Sequence, residues 1–415
     1  MAHKDSDSKY DRRSENNHLA RIFLKPGAWH HRRFIGFTEK VLRVFLRSPK
    51  PGQLPPIEEA KRILIFDPGA LGDMVLLAPL LHTLRARLPG AHLTLVGKAG
   101  SGKLLHEQGL VDQWFSVDTP WGGGHSSGDA FVKLSFPWIR FWREMRKLRS
   151  QSFDLAFASG WSGDFRGNIA IWLTGAKRRV GYGYTGGAFL LTDVAQPDVE
   201  HPHVADRNLR LLETIGFCRV KNGGVFRVNA EDAEFANRLL ARHDLTREDL
   251  VVGVHPGAGA EIREWGDERF AEVAHRLTSR FGAKILWFMD PNKPKPMPDG
   301  LNAIPLALSL SQLEAVLSNC KLFICNDSGP MHLAAALKVP VVAVFGAQRP
   351  EWFGPWGDGH RVVIRHDVWC RPCADNCIFD EPYCLRLISV DQVMNQAEQA
   401  LKSLIPSQSA ATTVL

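Results

Sequence analysis

The chain has 415 residues, 45% of them hydrophobic and 23% charged, a globular composition long enough for two domains with separate cores. Its net charge of +7 sits in residues 1–50, where 12 Lys and Arg face 5 Asp and Glu; the remaining residues carry 39 of each sign. A neutral body without a basic stripe of spaced aromatics argues against a nucleic-acid partner. No apolar run is long enough to span a bilayer, and the polar opening MAHKDSDSKYDRRSENNH lacks the apolar core of a signal peptide, so a cytoplasmic protein is expected.

Residues 1–57 read as a basic extension and linker. Within it, FIGFTEKVLRVFLR (34–47) has helical spacing, with Lys40, Arg43 and Arg47 on one side and Phe34, Ile35, Phe37, Val41, Leu42, Val44, Phe45 and Leu46 covering the other. Such a helix suits either an anionic membrane surface or the protein's own core. The proline-rich SPKPGQLPPIEE then marks the boundary of a first domain, 58–225.

That domain opens with a strand, RILIFD (62–67), the turn PGALGD, a helix ending at Pro89-Gly90, and a second strand, HLTLVG. The alternation predicts a parallel sheet. The next loop, TLVGKAGSGKLL, resembles a P-loop at Gly97, Gly102 and Lys103, but Leu104 stands where a Mg²⁺-holding Ser or Thr is required, so no NTPase site is expected. FDLAFAS and RRVGYG continue the alternation.

A second series, 226–388, runs LVVGVHPG, DERFAEVAHRLTSRFG, AKILWF, SLSQLEAVLSNC, LFICND, GPMHLAAALK and VPVVAVFG, interrupted by the irregular PNKPKPMP. A last helix is expected over 389–405, with a tail over 406–415. No internal repeat is visible, and neither half has G-x-G-x-x-G after its first strand, which argues against a dehydrogenase.

Open α/β sheets bind ligands beyond the carboxyl ends of their strands, and three such turns stand out. In DPGALGD, Asp73 suits either a helix cap or a general base. In HPGAGAEIREW, Gly257 and Gly259 permit a tight loop with N–H groups toward an anion, and Arg263 is either a surface residue or a phosphate partner. In CNDSGPMHLAAAL, the helix start at Ser328, Gly329 and Pro330 suits a diphosphate. Asp327 there suits sugar hydroxyls or a cap, and His332 either a ligand contact or a structural role.

Together RILIFDPGALGDMVLLAPLLHTLRARLPGAHLTLV, VGVHPGAGAEIREWGDERFAEVAHRL and NDSGPMHLAAALKVPVVAVFG resemble glycosyltransferase family 9, the ADP-heptose:lipopolysaccharide heptosyltransferases. The resemblance implies an α/β protein of GT-B fold: two Rossmann-like domains facing across a cleft, acceptor on the first and nucleotide-sugar on the second, with the last helix crossing back to the first. It implies an inverting, metal-independent transfer. Asp73 would be the base, Gly69, Leu71 and Gly72 the acceptor-side loop, and Gly257, Arg263, Asp327, Ser328, Gly329 and His332 the donor site. The partners implied are an ADP-heptose-like donor and a lipid-linked oligosaccharide acceptor at the inner membrane. Alternatives are a different nucleotide-sugar and surface glycan, or a non-catalytic glycan-binding protein tethered to the membrane. The chain departs from the family pattern at MDPNKPKPMPDGLNA, which would border the nucleotide base, and in its long extension.

Of seven cysteines, Cys218, Cys320 and Cys325 lie in apolar segments and are expected to be buried thiols. Cys370, Cys373, Cys377 and Cys384 form C-x2-C-x3-C-x6-C, a spacing that suggests a structural metal such as Zn²⁺ or a set of reduced thiols.

Overall fold

The computed structural model describes residues 54, 56–97, 101–117, 138–160, 165–184, 186–220, 226–293, 295–373 and 375–404. The helix expected over 34–47 and the tail 406–415 lie outside the described residues.

The first half contains β1 (Arg62–Asp67), α1 (Leu71–Arg87), β2 (His92–Gly97), α2 (Ser101–Glu107), β3 (Gln113–Ser116), α3 (Trp138–Ser150), β4 (Leu155–Ala158), α4 (Phe165–Leu173), β5 (Arg178–Tyr182), β6 (Asp193–Ala195) and α5 (Val204–Thr214). The second contains α6 (Ala230–Ala241), β7 (Val251–His255), α7 (Asp267–Phe281), β8 (Lys284–Met289), β9 (Ile304–Ala307), α8 (Leu310–Leu317), β10 (Leu322–Asn326), α9 (Gly329–Ala336), β11 (Val341–Phe345), α10 (Pro350–Phe353), β12 (Arg361–Ile364), α11 (Tyr383–Arg386) and α12 (Val390–Leu404).

Both sheets are parallel. The first has the order β3-β2-β1-β4-β5-β6 and the second β12-β11-β10-β7-β8-β9. Counted from its own first strand, each is 3-2-1-4-5-6, the doubly wound order. The two halves are therefore a topological repeat that the residues do not display.

The continuous apolar runs follow from burial on both faces. In β1, Ile63 and Ile65 face the core built with α1, while Leu64 and Phe66 face the layer that holds Phe141, Met145 and Leu148 of α3. Helix α1 is buried from Met74 to Leu81 with little amphipathic bias, because it packs on α9 of the second half as well as on its own domain. Its interior Pro79 is tolerated, and the Pro79 carbonyl accepts from Thr83 Oγ1 at 2.8 Å. A second tie between the halves joins α2 to α8, where Gln108 Nε2 donates to the buried Glu314 Oε1 at 2.6 Å. Lys103 of the P-loop-like stretch is exposed and pairs with Glu107 at 3.2 Å, and Leu104 is core.

Two expectations differ from the structure. Helix α12 buries Val393, Met394, Ala397, Ala400 and Leu401 in the second sheet's core, against α7 and β10–β12, instead of crossing to the first half. Cys218 is exposed, since it follows α5 on a surface segment whose carbonyl accepts from Arg87; Cys320 and Cys325 are buried as expected.

Candidate active site

Where the strand order reverses, adjacent loops leave in opposite directions and open a crevice. In the first sheet this point lies between β1 and β4, so the crevice is headed by the turn from Asp67 to Asp73. In the second it lies between β7 and β10, headed by the turns after His255 and Asn326. All three turns border one cavity of about 860 Å³, lined by Leu71, Gly72 and Asp73 from the first half and by His255 to Glu264, Met289 to Lys293, and Asp327 to Pro330 from the second.

Each turn is pinned from within. Asp67 is fully buried and accepts from the Gly69 N–H at 2.7 Å. Asp73 is the third residue of α1, and its Oδ2 accepts from the Ala70 N–H at 2.8 Å. Its helix-capping role is thus real, and Ala70 is the N-cap. On the opposite side, Asn326 joins two turns: its Nδ2 donates to the Pro256 carbonyl at 2.5 Å and its Oδ1 accepts from the Trp265 N–H at 3.1 Å.

The two halves touch at the cleft floor. A Cβ on Gly72 would stand 2.6 Å from His332 Cδ2, and one on Gly329 would stand 3.0 Å from Leu71 Cδ2. Glycine at both positions therefore lets the Leu71–Asp73 loop sit directly on the start of α9.

Arg263 lines the cavity and is held by two carboxylates. Its Nε donates to Asp375 Oδ1 at 2.8 Å, its Nη2 donates to Asp375 Oδ2, and its Nη1 lies 3.4 Å from Asp327 Oδ2. Gln348 Nε2 donates to the same Asp375 Oδ2 at 3.0 Å. Burial works against the Arg263 charge, yet the hydrogen bonds to Asp375 and the fields of Asp327, Asp375 and Asp73 hold its pKa above the usual value. Burial pushes Asp327 up to about 6, helped by the charges of Asp375 and Asp73 and opposed by Arg263. Burial also pulls His255 down to about 4 and His332 down to about 3, so both rings are neutral near pH 7.

Among the described residues, Asp327 Oδ2, Ser328 Oγ, His332 Nδ1 and His255 Nδ1 are buried side-chain atoms without a hydrogen-bond partner. Buried polar atoms normally find partners. Four such atoms around one cavity mark a place for a polar ligand. Gly257, Ser328 and Gly329 border the cavity, the last two at the N–H groups that open α9.

Two cavity residues were missed from the sequence. Asp375 reads there only as part of a cysteine run. Asp290 directly follows β8, the second strand of its sheet, where doubly wound folds keep an acidic residue for a ribose; that position was the available signal. The expectation of a structural metal at the cysteines finds no support among the described residues. Cys370, Cys373, Cys377 and Cys384 are free thiols near one another, but among the described residues no three His, Cys, Asp or Glu side chains are arranged to hold a metal ion. The loop is held by other contacts: Arg371 Nη1 donates to the Arg365 carbonyl at 2.9 Å, and the Cys373 N–H donates to the Ala347 carbonyl at 3.2 Å.

Comparison with known proteins agrees with this architecture. The family model for glycosyltransferase family 9 (heptosyltransferase) matches residues 141–382. The chain is 24% identical over 362 residues to lipooligosaccharide heptosyltransferase 2 of Campylobacter jejuni, covering 82% of this chain and 99% of that protein. It is 25% identical to lipopolysaccharide heptosyltransferase 2 of Escherichia coli, covering 73% and 87% of the two chains. Among solved structures, the family 9 glycosyl transferase from Veillonella parvula aligns with a TM-score of 0.64 at 25% identity, covering 83% and 97%. E. coli ADP-heptose lps heptosyltransferase II shares the fold, with a TM-score of 0.61 at 22% identity, covering 83% and 99%. With two doubly wound sheets facing across a cleft in the GT-B arrangement, the chain belongs to glycosyltransferase family 9, the heptosyltransferases, and is an enzyme of that family.

Proposed function

We propose that the chain transfers a heptose, or a closely related sugar, from an ADP-heptose-like donor to a lipopolysaccharide-core acceptor, with inversion at the anomeric carbon. The observation that carries this reading is the cavity that Asp73 of the first half lines together with Asp327, which pairs with Arg263, and with the unsatisfied Ser328 Oγ and His332 Nδ1 of the second. The names of the relatives supply the sugar and acceptor class.

In this reading residues 58–225 hold the acceptor and 226–388 the donor. Asp73 removes the proton of the acceptor hydroxyl. That oxygen attacks the anomeric carbon as the bond to the diphosphate oxygen breaks, and the bonding pair leaves with the nucleotide diphosphate. The N–H groups opening α9 and the Nη1/Nη2 edge of Arg263 meet the developing charge, with no metal in the step. Asp327 accepts from sugar hydroxyls. Its raised pKa fits a carboxyl beside a diphosphate, since a proton there relieves the repulsion. Neutral His332 donates one N–H. Asp290 takes the ribose diol. The acceptor is lipid-linked, so the chain works on the anionic cytoplasmic face of the inner membrane.

The test is transfer from a panel of nucleotide-sugars, ADP-heptose included, to heptose-deficient lipopolysaccharide, with wild type and Asp73→Asn. The expected result is transfer with ADP-heptose, lost by about 10²-fold or more in the variant. Wild-type rates in Asp73→Asn would remove the base assignment, and preference for another sugar-nucleotide would replace the donor.

A further inference from the structure

We infer that Asp375, carried into the donor site by the four-cysteine loop, is a positioning residue that sets the plane of the Arg263 guanidinium. The side chain of Asp375 is 3% exposed and that of Arg263 is 14% exposed. A buried carboxylate is costly unless paired, and removing one partner of such a pair is strongly destabilising. Here the pair is a fork: Asp375 takes the Nε/Nη2 edge of Arg263 and Gln348 fixes the carboxylate from behind. A guanidinium has two such edges. With one held, the Nη1/Nη2 edge is the one left to turn toward Asp327 and the cavity.

The loop is built to deliver this residue. Asp375 adopts a left-handed backbone, φ 66°, a conformation that Asp tolerates better than most non-glycine residues. On one side, Arg371 donates to the Gly346, Arg365 and Gln348 carbonyls; on the other, Cys384 is buried against Gly346. A lysine at 263 would have no fork to be held, so Asp375 and Arg263 form one device.

The inference rests on the proposed transferase reading, and its test separates the two. In full-length enzyme, Asp375→Asn keeps shape and one acceptor but loses the fork. It should lower kcat/KM for the donor by about tenfold or more, with acceptor KM unchanged. Arg263→Lys should do the same. Asp375→Asn added to Arg263→Lys should cost less than about twofold more, because no fork remains to be positioned. Additive losses overturn the inference, as would wild-type kinetics in Asp375→Asn, and so would losses that track only the folded fraction and leave donor KM unmoved, which is what a purely structural role gives. If that variant does not fold, Gln348→Met removes only the supporting donor, carries the same non-additive expectation at smaller size, and additivity there overturns the inference equally. Absence of transfer in the wild type would overturn the function and leave the clamp to be judged by nucleotide diphosphate affinity in the same cycle.

An independent observation carries a second proposal: the geometry points to the outer face of α3 as a docking surface for an anionic lipid bilayer. The helix buries Phe141, Met145 and Leu148 at helical spacing on the side of the first sheet away from α1. Its opposite face presents Ile139, Trp142, Arg143 and Arg146, with Ile139 79% and Trp142 52% exposed. The helix carries Arg140, Arg143, Arg146, Lys147 and Arg149 against one acid, Glu144, which pairs with Lys147 at 3.0 Å. Outward apolar tips among cations match an interface whose headgroups are anionic and whose acyl chains lie just below. A protein partner, or a second copy, would need acidic complementarity that a lipid surface supplies everywhere.

Sedimentation of the full chain with phosphatidylglycerol-containing vesicles tests this. Trp142→Ser/Arg143→Ser/Arg146→Ser should weaken binding about tenfold or more, and wild type should not bind phosphatidylcholine vesicles. Unchanged binding in the triple variant, or binding that ignores lipid charge, overturns the surface. Transfer to a water-soluble acceptor fragment should stay at the wild-type level; its loss in a folded triple variant would equally overturn a purely docking role.

Discussion

Gly69→Ala isolates the position of the Asp73 carboxylate without altering its chemistry. A Cβ built on Gly69 stands 2.4 Å from Asp73 Cβ, 2.5 Å from Asp73 Oδ2 and 2.6 Å from Asp67 Oδ1. Non-bonded heavy atoms settle near 3.5 Å or beyond, so one group must retreat by about 1 Å. Asp67 is fully buried at the end of β1 and has nowhere to go. Asp73 lines the cavity and is the group that yields. Its move loosens the 2.8 Å bond from the Ala70 N–H. Overpacking of this kind costs about 1–3 kcal/mol of stability. A catalytic group misplaced by about 1 Å costs about 10²-fold in rate, or roughly 2.7 kcal/mol of barrier. Initial rates of nucleotide diphosphate release give kcat, and calorimetry with the free diphosphate gives donor-site affinity. The expected result is kcat down about 10²-fold with affinity unchanged, since the turns proposed to hold the donor lie in the other half. A variant with a lowered melting temperature but wild-type kcat would show that Asp73 moved and chemistry did not notice, and the base assignment would fall.

The cleft floor gives an ordered pair. Gly72→Ala places a Cβ 2.6 Å from a buried imidazole carbon of His332, whereas Gly329→Ala meets only the side chain of Leu71, at 3.0 Å and beyond. Gly72→Ala should therefore lower kcat and melting temperature more than Gly329→Ala, and the reverse order would contradict the contact geometry. Glu314 is buried between the halves, where burial pushes it up to about 7 from an ordinary 4.5. The folded state holds that proton more tightly than the unfolded state. Stability is thus fully present below pH 4.5 and declines as pH rises through 7, by up to about 3 kcal/mol. Glu314→Gln should flatten this slope and be the more stable protein at pH 8; urea midpoints at pH 5 and pH 8 decide, and equal slopes would refute it. Iodoacetamide should label the exposed Cys218 well before Cys320, whose thiol burial pushes up to about 12; peptide mapping shows the order, and early labelling of Cys320 would contradict its burial.

What was legible in the sequence was local. RILIFD, LVVGVHPG and LFICND announce buried parallel strands because burial on both faces leaves no alternation, and their glycine-bearing ends announce turns. Asp327 is found because it directly follows such a strand, and Asp73 because it stands where the turn after β1 enters α1. Sheet order is a different matter: β4 joins β1, and β10 joins β7, through pairings far apart in the chain, and no periodicity records them. The duplication is invisible for that reason. Asp375 lies 112 residues from Arg263, in a stretch whose cysteines dominate its reading, so nothing local marks its carboxylate as a partner of that arginine. For helix α12 the crossing is implied by the family resemblance alone; its amphipathic face says only that it packs, and its buried residues meet the second sheet.

The distribution of the site between helices and loops has its own logic. Helices α1 and α9 pack against each other and join the halves, and each begins at a turn of the cleft. Asp73 is in the first turn of α1, and the N–H groups proposed to meet the diphosphate open α9. Their separation is fixed by helix packing, which resists displacement in a close-packed interior. Arg263, Asp375 and the segment after β8 are held instead on loops, and those loops border the donor end of the cavity. Substitution there changes the lining of the cavity while the separation of Asp73 from the start of α9 stays put. The helices thus hold the two sides of the cleft at a fixed spacing, while the four-cysteine loop and the proline-rich segment shape its border.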